Sequence, residues 1–149
     1  LISAYEKYGC TILGSIKVSK DEDYNRYGFA GGKTIADGII AVETIIEKPG
    51  KGKAPSDLAT VSGFILTPDI FEYLDIALSN LKEGEELFYN DVLKLMLSDK
   101  KRIIAVEIKG GKYYDTGNKL EYMKTVVEMG LQHPDINGEF RKFLKDLKL

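Results

Sequence analysis

"YGFAGGKTIADGIIAVETIIEKP" (Tyr27–Pro49) is the stretch whose reading decides the fold class. It is rich in β-branched and small residues. Two turn signals, Gly31-Gly32 and Asp37-Gly38, are expected to cut it into short antiparallel pieces. The third piece, Ile39–Glu47, is the longest strand candidate in the chain. Glu47-Lys48-Pro49 closes it. Pro49 predicts an extended Lys48 and forbids further pairing. An antiparallel insert of this kind is incompatible with a purely doubly wound sheet.

Working outward, "CTILGSIKV" (Cys10–Val18) is β-branched and apolar and reads as a buried strand after a helix over Leu1–Tyr8 closed by Gly9. "SKDEDYNR" is a polar connector. Downstream of Pro49, "PGKGKAPSD" is a Gly/Pro loop and Leu58–Leu66 a further strand. Thr67-Pro68-Asp69 has the order of a helix start, with Ile70, Phe71, Leu74, Ala77 and Leu78 on one face. A second helix is expected over Asp91–Ser98 with Asn90 as its cap, then a strand over Arg102–Gly110. Asn118 and Glu121 have the spacing of a capping box, and Leu120, Met123, Val127 and Leu131 follow at helical steps. That helix is expected to end at His133-Pro134, before a last one over 138–148. The sum is an α/β domain with a mixed sheet, hairpin insertions and C-terminal helices.

Composition restricts the function classes. The 149 residues are 44% hydrophobic with a net charge of −2, and the basic residues are scattered, so neither nucleic acid nor a membrane surface is an expected partner. The apolar runs are too short to span a bilayer. One cysteine, Cys10, excludes an internal disulfide and fits a reducing cytoplasm. The opening on a helix tail, without an initiator Met, reads as a fragment.

Five features could carry chemistry. On a flat strand Glu47 and Lys48 would point to opposite faces, but at a strand end the outgoing loop can re-aim the second side chain. There Glu47 could accept from sugar hydroxyls while Lys48 meets a phosphate; two solvated charges are the plain alternative. "PGKGKAPS" fails as a phosphate-binding loop, because Ala54 follows Lys53 and a strand follows the loop. Gly28 could admit a ligand to the backbone or permit a bulge. His133 lacks partners for a zinc site or a dyad and suits a helix C-terminus. Asp115, in "KYYDTGNKLEY" (Lys112–Tyr122), could ligate a metal or simply form a turn with Thr116-Gly117.

In order, "YG" (Tyr27-Gly28), "EKP" (Glu47–Pro49), "APSDLA" (Ala54–Ala59), "FILTPDIF" (Phe64–Phe71), "YYDTGNKLEYMKTVVE" (Tyr113–Glu128) and "HPDINGEF" (His133–Phe140) form one pattern. From about Tyr24 to its end the chain resembles the C-terminal half of the bacterial-type UTP–glucose-1-phosphate uridylyltransferases, among the sugar-nucleotide pyrophosphorylases. The resemblance implies one partial domain over residues 1–149, the C-terminal portion of a Rossmann-like nucleotidyltransferase domain.

It further implies that Glu47 binds glucose hydroxyls, that Lys48 is the catalytic lysine on the phosphate of glucose 1-phosphate, and that the Gly28 backbone contacts the sugar. Asp115 is then a ligand of Mg²⁺, paired with an aspartate from earlier in the family's sequence. The substrates are glucose 1-phosphate and UTP, and members are typically homo-oligomers. A thymidylyl enzyme of the same superfamily, or a non-catalytic sugar-phosphate-binding or oligomerisation module, are the rival readings.

Departures accompany the likeness. The family's Gly-rich nucleotide loop and second metal-binding Asp have no match in these residues, so the chain alone is expected to be inactive. A sheet lacking its first strands is expected to leave an unpaired edge that invites self-association. Ser62-Gly63 stands where many members have Gly-Arg, "ELFYND" (Glu86–Asp91) replaces Glu-Ile-Gln-Leu-Thr-Asp, and Asp57 replaces a common Asn. The Ser62 and Asp57 positions belong to the wall expected beside the sugar.

Overall fold

The computed structural model describes residues 1–147, which form two compact units that divide between Gly111 and Lys112. Lys148, within the helix expected over 138–148, lies outside the described residues, as does the side chain of Ser62.

In the first unit, α1 (Ile2–Tyr8) leads into β1 (Thr11–Lys17). The hairpin β2 (Gly28–Ala36) and β3 (Ile39–Glu47) comes next, followed by β4 (Leu58–Ile65), α2 (Ile70–Ser79), α3 (Tyr89–Ser98) and β5 (Ile103–Glu107). The sheet is mixed, as the sequence predicts: β1 and β5 run parallel and every other pair antiparallel. Its closure is not predicted. The order β1-β4-β2-β3-β5 returns to β1, so each strand pairs on both sides and the expected unpaired edge does not occur among the described residues. Short pairings at the ends of the β2–β3 ribbon complete the ring: two residue pairs onto β4 and three onto β5.

That ribbon curls because it carries irregularities. Asp37-Gly38 makes the hairpin turn, but Gly31-Gly32 does not turn at all; it lies within β2, opposite a bulge. Gly31 pairs with Thr44 and Gly32 with Val42, so Glu43 is an extra residue on β3. One extra residue flips the side-chain alternation. Ile40 and Val42 point into the core before the bulge, and Ile45 does so after it. Glu47, two residues beyond Ile45, inherits that facing.

The core joins Leu13, Ala30, Ile103 and Ala105 of the strands to Val92, Leu93 and Met96 of α3. On the opposite face Ile12 and Ile104 pack with Ala4 and Tyr8 of α1. β1 is therefore covered on both sides, which is why its run is apolar without alternation.

α2 starts two residues later than expected, at Ile70 rather than Pro68. The Thr67 hydroxyl donates to Asp69 Oδ1 at 2.5 Å, and Thr11 and Thr67 share a further hydrogen bond of 2.9 Å, so Thr67 is engaged elsewhere and Asp69 takes the N-cap position without a side-chain capping bond. The buried face is Ile70, Tyr73 and Ala77, while Phe71 and Leu78 are 69% and 53% exposed. Tyr73 turns inward because its hydroxyl finds Asp99 Oδ2 at 2.9 Å.

The second unit holds α4 (Lys119–Gln132) and α5 (Asn137–Asp146). Asn118 Oδ1 accepts from the Leu120 and Glu121 backbone N–H groups, as its spacing predicts, and His133 is the C-terminal cap before Pro134. Leu120 and Met123 of the expected apolar stripe are exposed.

Candidate functional site

A cavity of about 300 Å³ opens where β3 ends against the start of α3, lined among others by Glu47, Lys48, Phe88, Tyr89 and Asn90. Consecutive strand residues reach one cavity here because the backbone breaks its alternation at Lys48. Lys48 has φ 45°, in the left-handed region, not the extended conformation that Pro49 predicts. A non-glycine residue held there stores strain of about 1–3 kcal/mol, and such positions cluster at ligand-binding sites. The surroundings enforce it: the Lys48 N–H donates to the Tyr27 carbonyl at 3.0 Å, and the Gly50 N–H to that of Tyr24 at 3.0 Å. Tyr24 is itself fixed by stacking on buried Phe29, ring centroids 4.8 Å apart.

Gly28 lies across the ladder from both Glu47 and Thr60. A Cβ at this position would stand 2.7 Å from Glu47 Oε2 and 3.2 Å from Thr60 Oγ1. Gly28 itself is regularly paired and the bulge sits opposite Gly31-Gly32, so Gly28 permits no bulge; it makes room for the Glu47 carboxylate. Thr60, fully within the barrel wall, donates to the Gly28 carbonyl at 3.2 Å.

Asn90 is the residue that sequence reasoning assigned wrongly. It caps nothing; Phe88 is the N-cap position and Asn90 lies in the first turn of α3. It is buried, and its Nδ2 donates to Glu47 Oε2 at 2.8 Å. The signal was present, since Asn90 stands three and seven residues before Leu93 and Leu97, in register with the helix's inward stripe.

The other candidates fall elsewhere. Asp57 pairs with Lys17 at 3.2 Å and does not line the cavity. Lys51, in the basic loop, pairs with Asp21 at 2.7 Å. Asp115 belongs to the second unit, where its Oδ1 accepts from the Gly117 N–H at 3.1 Å in the turn that precedes α4.

Asp91 and Lys94 also line the opening but pair with each other at 2.9 Å, which leaves the Glu47 carboxylate, the Lys48 ammonium and an exposed aromatic pair to suit a ligand that is both hydroxylated and anionic. A family model described as "Nucleotidyl transferase" matches residues 1–130. The chain belongs to the nucleotidyl transferase family.

Among other members of this family, it is 32% identical over 149 residues to the UTP–glucose-1-phosphate uridylyltransferase of Staphylococcus epidermidis, covering 100% of this chain and 50% of that protein. The UTP-bound UGPase of Acinetobacter baumannii superposes with a TM-score of 0.79 at 30% identity, over 99% of this chain and 49% of that one. A UDP-glucose pyrophosphorylase complexed with UDP-glucose superposes with a TM-score of 0.74 at 34% identity, over 88% and 48%. The chain thus spans about half the length of the relatives it matches.

A nucleotidyl transferase of this kind implies a divalent cation. Mg²⁺ takes hard oxygen ligands, usually one or two carboxylates completed by phosphates and water. Asp115, in its tight turn, offers one such carboxylate, and among the described residues no group of three or more His, Cys, Asp or Glu could hold a metal ion. Asp115 is thus one oxygen donor of the kind Mg²⁺ takes.

Proposed function

We propose that this chain carries the sugar-phosphate side of a UTP–glucose-1-phosphate uridylyltransferase, an enzyme that joins UTP and glucose 1-phosphate into UDP-glucose and pyrophosphate. The observation that carries the reading is the left-handed backbone at Lys48, which turns Lys48 and Glu47 onto one cavity beside Gly28. The names of the relatives above support it.

In this reading Glu47 accepts hydrogen bonds from the glucose hydroxyls, and the Gly28 backbone contacts the sugar beside the Glu47 carboxylate, which occupies the space of the missing Cβ. Lys48 donates to the phosphate and offsets repulsion between two polyanions as an oxygen of glucose 1-phosphate attacks the α-phosphorus of UTP in line. The bond to the pyrophosphate oxygen breaks as the new P–O bond forms. The chain's own contribution is orientation, which for a transfer between two bound substrates supplies much of the rate. A bound Mg²⁺, with Asp115 among its ligands, would supply charge neutralisation on phosphate oxygens.

The reading also carries a homo-oligomeric protein in a reducing cytoplasm. The exposed Leu120, Met123 and Phe143 of the second unit support the first, and the buried free thiol of Cys10 supports the second.

Calorimetric titration tests the site. Glucose 1-phosphate is expected to bind this chain, and Lys48→Ala to abolish the heat of binding. Undiminished binding by the variant would overturn the assignment. The 149-residue chain on its own is expected to bind the sugar phosphate without forming UDP-glucose. Any longer protein containing it is expected to prefer UTP over dTTP in a nucleotide panel.

A further inference from the structure

We infer that Asn90 is the positioning residue of the Glu47 carboxylate, presenting one carboxylate oxygen to the hydroxyls of a hexose 1-phosphate. The inference rests on the sugar-phosphate reading of the cavity and adds to it a group that α3 contributes.

The side chain has an assigned direction without ambiguity. A carboxylate only accepts, so the atom of Asn90 that faces Glu47 Oε2 at 2.8 Å must be the amide nitrogen. Its Oδ1 is thereby sent the other way, where it is buried and accepts from no described residue. Asn90 is 7% exposed, so this orphan acceptor is out of water and lowers stability. Leucine, of similar shape, would avoid that cost. Packing alone therefore gives no reason for an asparagine here, whereas a donor aimed at Glu47 does.

Hydrogen bonds to an ionised acceptor are the short, directional kind, and one of them suffices to stop a carboxylate from rotating. The bonded oxygen is Oε2, the same atom that a Cβ on Gly28 would strike at 2.7 Å; that Cβ would also lie 3.5 Å from Asn90 Nδ2. Gly28 and Asn90 thus enclose Oε2 from two sides. Oε1 makes no hydrogen bond among the described residues, on the side chain that shares the cavity with Lys48. One oxygen is held and the other is offered.

The test is a double-substitution cycle read by calorimetry, with glucose 1-phosphate and inorganic phosphate as probes and the whole chain as receptor. Asn90→Leu is expected to weaken glucose 1-phosphate about ten- to a hundred-fold. It leaves inorganic phosphate, held by Lys48, unchanged, and it unfolds at the same temperature as the wild type or higher. A residue that only supports the fold would lower stability and both affinities together. Because Asn90 acts through Glu47, Asn90→Leu added to Glu47→Gln is expected to cost nothing further. Additive losses, no loss, or an equal loss of phosphate affinity would overturn the inference. If Asn90→Leu does not fold, the smaller Asn90→Thr takes its place in the cycle with the same expectations for both probes. A wild-type chain that takes up no glucose 1-phosphate would defeat the sugar-phosphate reading and this inference together. Lys48-dependent binding with additive losses would defeat this inference alone.

Discussion

Gly28 and Glu47 face each other across the β2–β3 ladder, so closely that a methyl group on Gly28 would lie 2.7 Å from Glu47 Oε2. The obstacle is the end of a side chain, not backbone, so Glu47 can move aside and the barrel can keep its form. Gly28→Ala is therefore expected to fold, with a urea midpoint near that of the wild type. Its affinity for glucose 1-phosphate is expected to fall at least about ten-fold, the loss of one hydrogen bond to a charged group. Calorimetry checks both halves, and an unchanged affinity would show that the Glu47 position does not matter.

Lys48 separates strain from chemistry. At φ 45° its backbone suits glycine better than any side chain. Lys48→Gly and Lys48→Ala both remove the ammonium and are expected to lose inorganic phosphate binding alike. Urea unfolding is expected to find the glycine variant more stable than the alanine one by about 1 kcal/mol. Equal stabilities would mean that the left-handed turn is relaxed in solution.

The bulge is a stability element with a functional consequence. Gly32 has φ 151°, and an added Cβ would stand 2.8 Å from the Glu43 backbone nitrogen, where nothing can yield cheaply. Gly32→Ala is expected to destabilise by on the order of 2–4 kcal/mol in chemical denaturation. It is also expected to weaken glucose 1-phosphate, since the register that aims Glu47 depends on the extra Glu43.

Acid should loosen the first unit through Asp69. Lys101, 2.8 Å away, holds the Asp69 carboxyl below its ordinary range, and the Thr67 hydroxyl adds to this. A carboxyl depressed on folding contributes stability above its unfolded value of about 4, and the contribution disappears as pH falls through the folded value. The melting temperature is therefore expected to drop below about pH 4, with a shallower acid limb in Asp69→Asn. Parallel limbs for the two proteins would refute the assignment. Lys101 is raised by the same pair, so its share persists through neutral pH and fades only at strongly alkaline pH.

The elements themselves were legible wherever one chain-local rule governed them. The sequence sets the observed bounds of Ile39–Glu47 because six of its nine residues are β-branched and it lies between a turn and a proline. Asn118 was read as a cap because capping needs only a side chain and the two N–H groups that follow it. The α2 start was misread because the competition for Thr67 comes from Thr11, 56 residues away, and no local pattern contains that distance. Gly31-Gly32 reads as a turn in isolation, and only the partner strand shows it facing a bulge.

For the site, the sequence alone determined the residue types at the end of β3: a carboxylate and an ammonium side by side, with a glycine at the start of the neighbouring strand. Those follow from short-range sterics and from the order of motifs. Only the tertiary structure decided how they are aimed. Closing five strands into a ring brings Gly28, Glu47 and Thr60 together. The packing of α3 against β3 then delivers Asn90 to Glu47 from 43 positions along the chain. Side-chain direction at the site is set by register and by helix rotation, and both are properties of the partners against which a segment packs.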